Sequence, residues 1–193
     1  MEPIANSRTF SMPGTRTLRV SLLGVALAAV AMFCIAADRG LPAQHGILNF
    51  GKVNDRLYRG AEPNTAGVTN LGKLGITTII DLREGRQVRK AEAREAAAIG
   101  ITYTNIPLDG LGKPKKADMA RILNVMEAAT GPVFVHCEHG CDRTGTVIAC
   151  YRIGHDHLSA TEAQKEADHY GMSRLERGMR SFVEEFKPES GPK

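Results

Sequence analysis

A cysteine and an arginine separated by five residues are the strongest chemical signal in this chain. Cys137 and Arg143 bracket the segment Glu-His-Gly-Cys-Asp, which lies between a short apolar run and a stretch of helical periodicity. A thiolate is a strong nucleophile, and the planar guanidinium of arginine binds two phosphate oxygens at once. The pair therefore predicts nucleophilic attack on a phosphate ester.

The residues around this pair predict a strand, a turn and a helix. The run at 131–136, Gly-Pro-Val-Phe-Val-His, is β-branched and aromatic after a turn pair, which is typical of a buried strand. Val147 and Tyr151 then recur at helical spacing. We expect the backbone N–H groups of residues 138–143 to converge in the turn, where the helix N-terminus adds partial positive charge. Such a turn binds phosphate and favours the thiolate of Cys137.

The sequence His-Cys-x5-Arg-Thr-Gly resembles the signature of the cysteine-dependent protein tyrosine and dual-specificity phosphatases. The loop Cys-Glu-His-Gly-Cys-Asp-Arg-Thr-Gly is most similar to the compact bacterial and fungal dual-specificity-like branch, and the resemblance covers about residues 47–186. It implies a phosphocysteine intermediate on Cys137 and a loop-ordering role for His136. The phosphate-binding loop would comprise Glu138, His139, Gly140, Cys141, Asp142 and Arg143.

Three further residues are candidates for proton transfer and leaving-group chemistry. Thr144 follows the arginine and is placed to donate its hydroxyl to the cysteine sulfur. The family supplies a general acid from an upstream loop, and Asp109 lies in such a segment, which is rich in glycine and proline. Asp142 resembles the aspartate of myotubularin-type lipid phosphatases and some secreted bacterial phosphatases, where it has been considered as an acid or as a polar anchor of the substrate. Asp109 and Asp142 both stay open as the acid.

The charge of the loop bears on the substrate. Glu138 and Asp142 place two carboxylates in it, whereas relatives that act on highly charged inositol phosphates tend to have lysines there. This favours phosphotyrosine or another monophosphate over a polyphosphoinositide. The expected partner is a phosphorylated protein or a small phosphomonoester, and the physiological substrate stays open.

Three other functions compete with this interpretation. A metal site would use the histidines and cysteines near the loop, but no matching second ligand pair follows, so neither a metal nor another cofactor is expected. A rhodanese-like sulfurtransferase also uses a loop cysteine, although its loop is typically one residue shorter. A phospho-recognition module without turnover would not need intact Cys137, Arg143 and Thr144. The last two stay as alternatives.

Residues 1–37 predict a membrane anchor or a secretory signal. The run from Val20 to Ala37 carries no charge, and Arg16 and Arg19 precede it closely. Basic residues are retained on the inner side of a membrane, so we expect the remaining chain to face the periplasm or the exterior. Whether residues 1–37 are cleaved stays open.

The remaining residues, 38–193, predict one catalytic domain. Strands alternate with helices along it, which is typical of an α/β fold with a central, mostly parallel sheet flanked by helices on both faces. The formal net charge of +4 is mild and no basic stripe is present, so a nucleic-acid partner is not expected. The predicted strands include 48–50, 57–59, 76–81, 101–106 and 132–136, and the last predicted helix spans 173–186.

Overall fold

The computed structural model describes residues 40–85 and 87–188. Within them the chain forms five strands and six helices. The strands are β1 (Gly51–Asn54), β2 (Leu57–Gly60), β3 (Thr78–Asp81), β4 (Thr102–Asn105) and β5 (Val133–His136). The helices are α1 (Thr65–Lys73), α2 (Gln87–Ala98), α3 (Lys116–Ala128), α4 (Asp142–His155), α5 (Ala160–His169) and α6 (Arg177–Glu185).

The strands form one mixed sheet in the order β1-β2-β5-β3-β4. Strands β1 and β2 are antiparallel, and the other three pairings are parallel. Side chains on the two faces of a strand alternate, so Phe134 packs with apolar residues of α1 and α2 while Val133 and Val135 pack with those of α3, α4 and α6. The predicted sheet, mostly parallel and covered by helices on both faces, is confirmed.

The parallel strands end in register at one edge of the sheet. Gly60 pairs with His136, His136 pairs with Asp81, and Asp81 pairs with Asn105. The chain leaves each of these strands at nearly the same level, so the residues that follow them gather along this edge. Sites in parallel α/β sheets form at the carboxyl ends of the strands, and this edge is where the cysteine loop begins.

Two predicted element boundaries are wrong. The segment 48–50 is not a strand, because Asn49 takes a left-handed backbone conformation with φ of 53° and β1 begins only at Gly51. The last helix starts at Arg177 rather than at residue 173, after a turn. Helix α5 begins with a capping box, in which Ser159 and Glu162 bond to each other's backbone N–H groups.

The predicted membrane or signal segment, residues 1–37, lies outside the described residues and stays a prediction. None of the described helices combines the length and the apolar character needed to cross a membrane.

Candidate active site

The cysteine loop joins β5 to α4, as the sequence predicts. Cys137 follows the last residue of the strand, and α4 begins at Asp142 with Cys141 at its N-cap. Gly140 has a φ of 69°, and a Cβ atom there would collide with the backbone of Gly60 and Ala61. Only glycine fits this close approach between the loop and the chain after β2.

Three successive carbonyl groups of the loop, those of residues 138–140, accept hydrogen bonds from the segment that precedes α1. The bonds are Glu62 N to Glu138 O at 3.2 Å, Asn49 Nδ2 to His139 O at 3.4 Å and Arg59 Nη2 to Gly140 O at 2.7 Å. Because a trans peptide is planar, its N–H points opposite to its C=O. The N–H groups of residues 139–141 therefore point away from this segment, towards the other side of the loop, where a bound anion would lie.

The nucleophile lies at the base of this loop. Cys137 is only 2% exposed, so a reacting phosphate must reach deep into the loop. The Thr144 hydroxyl is also fully buried and makes no hydrogen bond within the described part of the chain. The predicted bond from this hydroxyl to the cysteine sulfur is thus not formed in this conformation, and its role in supporting the leaving thiolate stays a prediction.

Arg143 lies at the end of the loop, in the first turn of α4, and its contacts with other residues are weak. Its side chain is 13% exposed, Nη1 donates to the Leu82 carbonyl at 3.5 Å, and Nη2 is 3.9 Å from Glu138 Oε2. Contacts of this length are weak. The guanidinium can therefore exchange them for phosphate oxygens at little cost.

His136 is held behind the nucleophile by buried acidic residues. Its Nδ1 is 3.3 Å from the carbonyl oxygen of Cys137, and Nε2 is 2.9 Å from Glu92 Oε1 and 3.8 Å from Asp81 Oδ1. The imidazole is fully buried. These contacts support the loop-ordering role that the resemblance implies for His136.

Asp81, Glu92 and His136 form the cluster whose ligand types would suit a metal ion. Arg83 already donates to both carboxylates of this cluster, and its bonds to Asp81 Oδ1 and Oδ2 are 3.0 and 2.9 Å long. Burial alone would raise the pKa of Asp81, but the bonds from Arg83, the charge of His136 and the Tyr103 hydroxyl outweigh it and lower that pKa. The cluster's negative charge therefore has a guanidinium partner, and we interpret it as structural.

Asp109 is exposed in the loop between β4 and α3 and lines a cleft of about 410 Å³ together with Glu84 and Arg121. The preceding residue, Leu108, is buried, and its N–H donates to the Leu82 carbonyl at 3.1 Å. Within the described residues, no hydrogen bond or ion pair joins the Asp109 carboxylate to the cysteine loop. The structure thus fixes the base of this loop and leaves the carboxylate unengaged at its tip.

Asp142 is placed differently. Its Oδ1 accepts a hydrogen bond of 2.7 Å from the backbone N–H of Ser173, and its carbonyl accepts one of 2.8 Å from the Thr146 hydroxyl. The carboxylate therefore ties the start of α4 to the turn before α6. This contact gives Asp142 a structural role at the start of α4, and its predicted roles as an acid or as a polar anchor of the substrate stay predictions.

Two functional candidates were missed by sequence reasoning, Asn49 and Arg59. Both are buried, and both bind carbonyl groups of the loop. The guanidinium of Arg59 also stacks on the ring of Tyr170 at 3.8 Å. The short predicted strand at 57–59 contained Arg59, but nothing local indicated that this strand lies directly behind the loop.

A larger cavity lies elsewhere in the described residues. It has a volume of about 1050 Å³ and is lined by parts of α3, α4 and α6, including Met126, Tyr151 and Phe182. It contains none of the predicted site residues.

Comparison with known proteins identifies one family along most of the described chain. Residues 42–185 match the family described as "DSP-PTPase phosphatase fused to NAD+ Kinase". This match covers the sheet, the cysteine loop and both candidate acids.

Two curated relatives are dual-specificity phosphatases. The chain is 34% identical over 87 residues to CDC14C of Homo sapiens, which covers 45% of this chain and 19% of the relative. It is 27% identical over 126 residues to TpbA of Pseudomonas aeruginosa, covering 64% of this chain and 55% of the relative. The chain thus spans about a fifth and about half of these relatives.

Two solved structures share the fold. Crystalline TpbA of P. aeruginosa superimposes with a TM-score of 0.65 at 24% identity, covering 77% of this chain and 91% of that one. The catalytic core of the PP-IP phosphatase SIW14 of S. cerevisiae gives a TM-score of 0.67 at 20% identity, covering 75% and 89%.

Proposed function

The chain belongs to the DSP-PTPase phosphatase family, and from this premise we propose that it is a cysteine-dependent phosphomonoester hydrolase. The observation that carries the proposal is the loop after β5. Cys137 is the first residue of this loop, the carbonyl groups of residues 138–140 are bound from one side so that the next three N–H groups point to the other, and Arg143 follows in the first turn of α4. This set supplies a nucleophile and the donors that a transferring phosphoryl group needs.

The first chemical step forms the S–P bond. The Cys137 thiolate attacks phosphorus while the bond from phosphorus to the ester oxygen breaks. Arg143 and the loop N–H groups bind the three non-bridging oxygens, on which negative charge is spread in the transition state. Asp109 gives its proton to the departing oxygen, so that the alcohol or phenol leaves neutral.

The second step releases phosphate. Asp109, now ionised, accepts a proton from a water molecule that attacks phosphorus, and the S–P bond breaks to return the thiolate. The buried hydroxyl of Thr144 donates to that thiolate as it leaves. The free hydrogen-bonding capacity of this hydroxyl within the described residues supports the assignment.

Asp109 is preferred to Asp142 as the acid because of what each carboxylate binds. Asp142 is engaged by the backbone of Ser173, and rotating it towards a substrate would release that turn. Asp109 is exposed on a loop rich in glycine and proline whose base is fixed at Leu108. A carboxylate at the tip of such a loop can approach the ester oxygen without disturbing the core.

The substrate class proposed is an aryl phosphate monoester such as phosphotyrosine. The thiol of Cys137 is 2% exposed, and a phenyl ring carries its phosphate further from a peptide backbone than a serine side chain does. Glu138, 58% exposed on the loop, opposes additional phosphate groups. One TpbA structure, 23% identical to this chain with a TM-score of 0.63, is a complex with pTyr, which is consistent with this choice.

The proposal includes attachment to, or export across, a membrane through residues 1–37. It is supported by the uncharged run from Val20 to Ala37 and by the arginines that precede it. Fractionation of cells that express the full chain, followed by N-terminal sequencing, distinguishes an anchor from a cleaved signal and both from a soluble chain.

The decisive experiment is hydrolysis of p-nitrophenyl phosphate by the full chain, with EDTA present, beside the Cys137→Ser variant. Turnover that persists in EDTA and disappears in the variant supports the proposal. Retained hydrolysis in Cys137→Ser excludes the phosphocysteine mechanism. Absence of turnover in folded, reduced wild type would favour a phospho-recognition module, or a sulfurtransferase if thiosulfate is consumed.

A further inference from the structure

Arg59 is a fully buried arginine behind the cysteine loop, on β2. Its Nη2 donates to the carbonyl of Gly140 at 2.7 Å, and its guanidinium carbon lies over the ring of Tyr170, 3.8 Å from the ring centre. Nε and Nη1 are buried and have no hydrogen-bond partner among the described residues. Burying a charged group whose donors are only partly bonded destabilises the folded state. We therefore expect another interaction to compensate for it.

The charges that face Arg59 identify that interaction. Burial lowers its pKa to about 10, and Tyr170, Glu166 and the thiolates of Cys137 and Cys141 act in the opposite direction. Arg59 therefore carries its charge at neutral pH. Glu166 is already paired with Arg152 at 2.9 Å, and tyrosine is neutral at that pH. The cysteine loop, with the sulfur atoms of Cys137 and Cys141, is thus the remaining place where the charge of Arg59 can act.

We propose that Arg59 is a positioning residue of the active site, which holds the loop open to phosphate and favours the thiolate of Cys137 from behind. By binding the Gly140 carbonyl it keeps the N–H of Cys141 turned towards the phosphate side. It acts through the peptide group and through its charge, without touching the substrate. The inference rests on the proposed function for its biological meaning, but its test does not require turnover.

The effect of Arg59 on Cys137 can be measured separately from the effects of the other charged residues around the loop. Arg143 and Glu138 lie on the loop itself, and His136 is held on the β3 side by the acidic cluster described above. On β2, Arg59 is the one charged residue, and it binds the loop from that side. Its substitution therefore removes one positive charge without altering a residue that would contact phosphate.

The test compares Arg59→Met and Arg59→Lys with wild type by the rate at which iodoacetamide alkylates Cys137 as a function of pH. Peptide mass spectrometry separates Cys137 from the other cysteines. In Arg59→Met we expect the profile to move to higher pH, with alkylation about tenfold slower on its acid side. We expect Arg59→Lys to restore most of the rate, because the charge returns.

A matched control uses Arg56, an exposed arginine just before the same strand whose Nη2 donates to Ala129 O away from the loop. Arg56→Met should leave the profile unchanged. Inorganic phosphate should protect Cys137 from alkylation in wild type and in Arg56→Met, and more weakly in Arg59→Met, because the loop N–H groups are less well aligned.

A wild-type alkylation profile in folded Arg59→Met would overturn the proposal. If circular dichroism shows that neither Arg59 variant folds, Tyr170→Leu decides: it removes the ring beneath Arg59 and leaves the Tyr170 carbonyl that Asn49 binds. We expect a smaller shift in the same direction, and no shift would equally overturn the proposal. A failure of the proposed function would appear differently, as normal alkylation chemistry without hydrolysis of any phosphate ester.

Discussion

The backbone N–H of Leu108 and the guanidinium of Arg143 share one acceptor, the carbonyl of Leu82. The N–H of Leu108 donates to it at 3.1 Å and Nη1 of Arg143 at 3.5 Å. Leu82 directly follows β3, so the carboxyl end of this strand anchors both the loop that carries Asp109 and the arginine proposed to bind phosphate. When Arg143 turns to phosphate, the carbonyl keeps its stronger bond to Leu108, and the Asp109 loop stays attached.

This relationship leads to a leaving-group test for the two candidate acids. Asp109→Asn should slow hydrolysis of an alkyl phosphate by roughly 100-fold or more and affect an aryl phosphate with a good leaving group much less, because only the poor leaving group needs the proton. Steady-state kcat/KM for the two substrate types measures the ratio.

Asp142→Asn serves as the comparison in the same assay. An asparagine still accepts the N–H of Ser173, so we expect a small loss that is the same for both leaving groups. The reverse pattern, with the alkyl substrate affected only in Asp142→Asn, would transfer the acid role to Asp142.

Arg143→Lys should lower kcat/KM by about 100-fold or more, since one ammonium group cannot make the paired bonds of a guanidinium. Arg94→Lys, at an exposed position on α2, is the matched control and should behave as wild type. Kinetics of Arg143→Lys within twofold of the control would remove Arg143 from the site.

The sequence was sufficient to predict the cysteine loop because its information is local. Cys137, Gly140 and Arg143 lie within a few residues, and the apolar run before them and the helical spacing after them define the turn. The sheet was predictable for a similar reason, since each of its main strands is a short apolar run bounded by turn residues.

The residues behind the loop could not be predicted because their roles depend on strand order. Arg59 lies 81 residues before Gly140, and they meet only because β2 pairs with β5. The wrong strand at 48–50 has the same origin. Leu48 and Phe50 look like strand residues, but Asn49 adopts a positive φ to send its amide to His139 and Tyr170.

Gly140→Ala should weaken both folding and phosphate binding. The backbone there has a φ of 69°, and the added Cβ would collide with the backbone of Gly60 and Ala61. We expect a loss of roughly 1–3 kcal/mol in the free energy of unfolding from the strained backbone, and a further loss from the collision. Urea unfolding and protection of Cys137 by phosphate measure the two effects.

Gly100→Ala isolates the contribution of the collision. Gly100 has a similar φ of 77°, but nothing lies within 4 Å of the Cβ position. Its substitution should lower the free energy of unfolding only by the amount that the strained backbone causes, and it should leave phosphate binding unchanged. Equal losses of stability in the two variants would show that the contact between Gly140 and the chain after β2 is dispensable.

Asp81→Asn should destabilise the protein at neutral pH and much less in acid. In the folded state the pKa of Asp81 lies below its ordinary value of 3.8, because the bonds from Arg83 and the other partners outweigh burial. A lowered pKa contributes stability above the unfolded-state value, and this contribution is lost as the pH falls through the folded value. At pH 7 the variant removes one of the carboxylates that Arg83 binds, while Glu92 stays paired with it, so we expect a cost of about 1.5–3 kcal/mol, typical of a hydrogen bond between charged groups.

Urea unfolding of wild type and Asp81→Asn from pH 7 to pH 3 measures this effect. The difference between their free energies of unfolding should become smaller only below about pH 4. Asp55→Asn is the control, because Asp55 also bonds a cation but is exposed at the surface, where ion pairs contribute little. It should change the free energy of unfolding by less than about 1 kcal/mol at any pH. A constant difference between wild type and Asp81→Asn across this range would mean that the amide itself, and not the lost charge, causes the destabilisation.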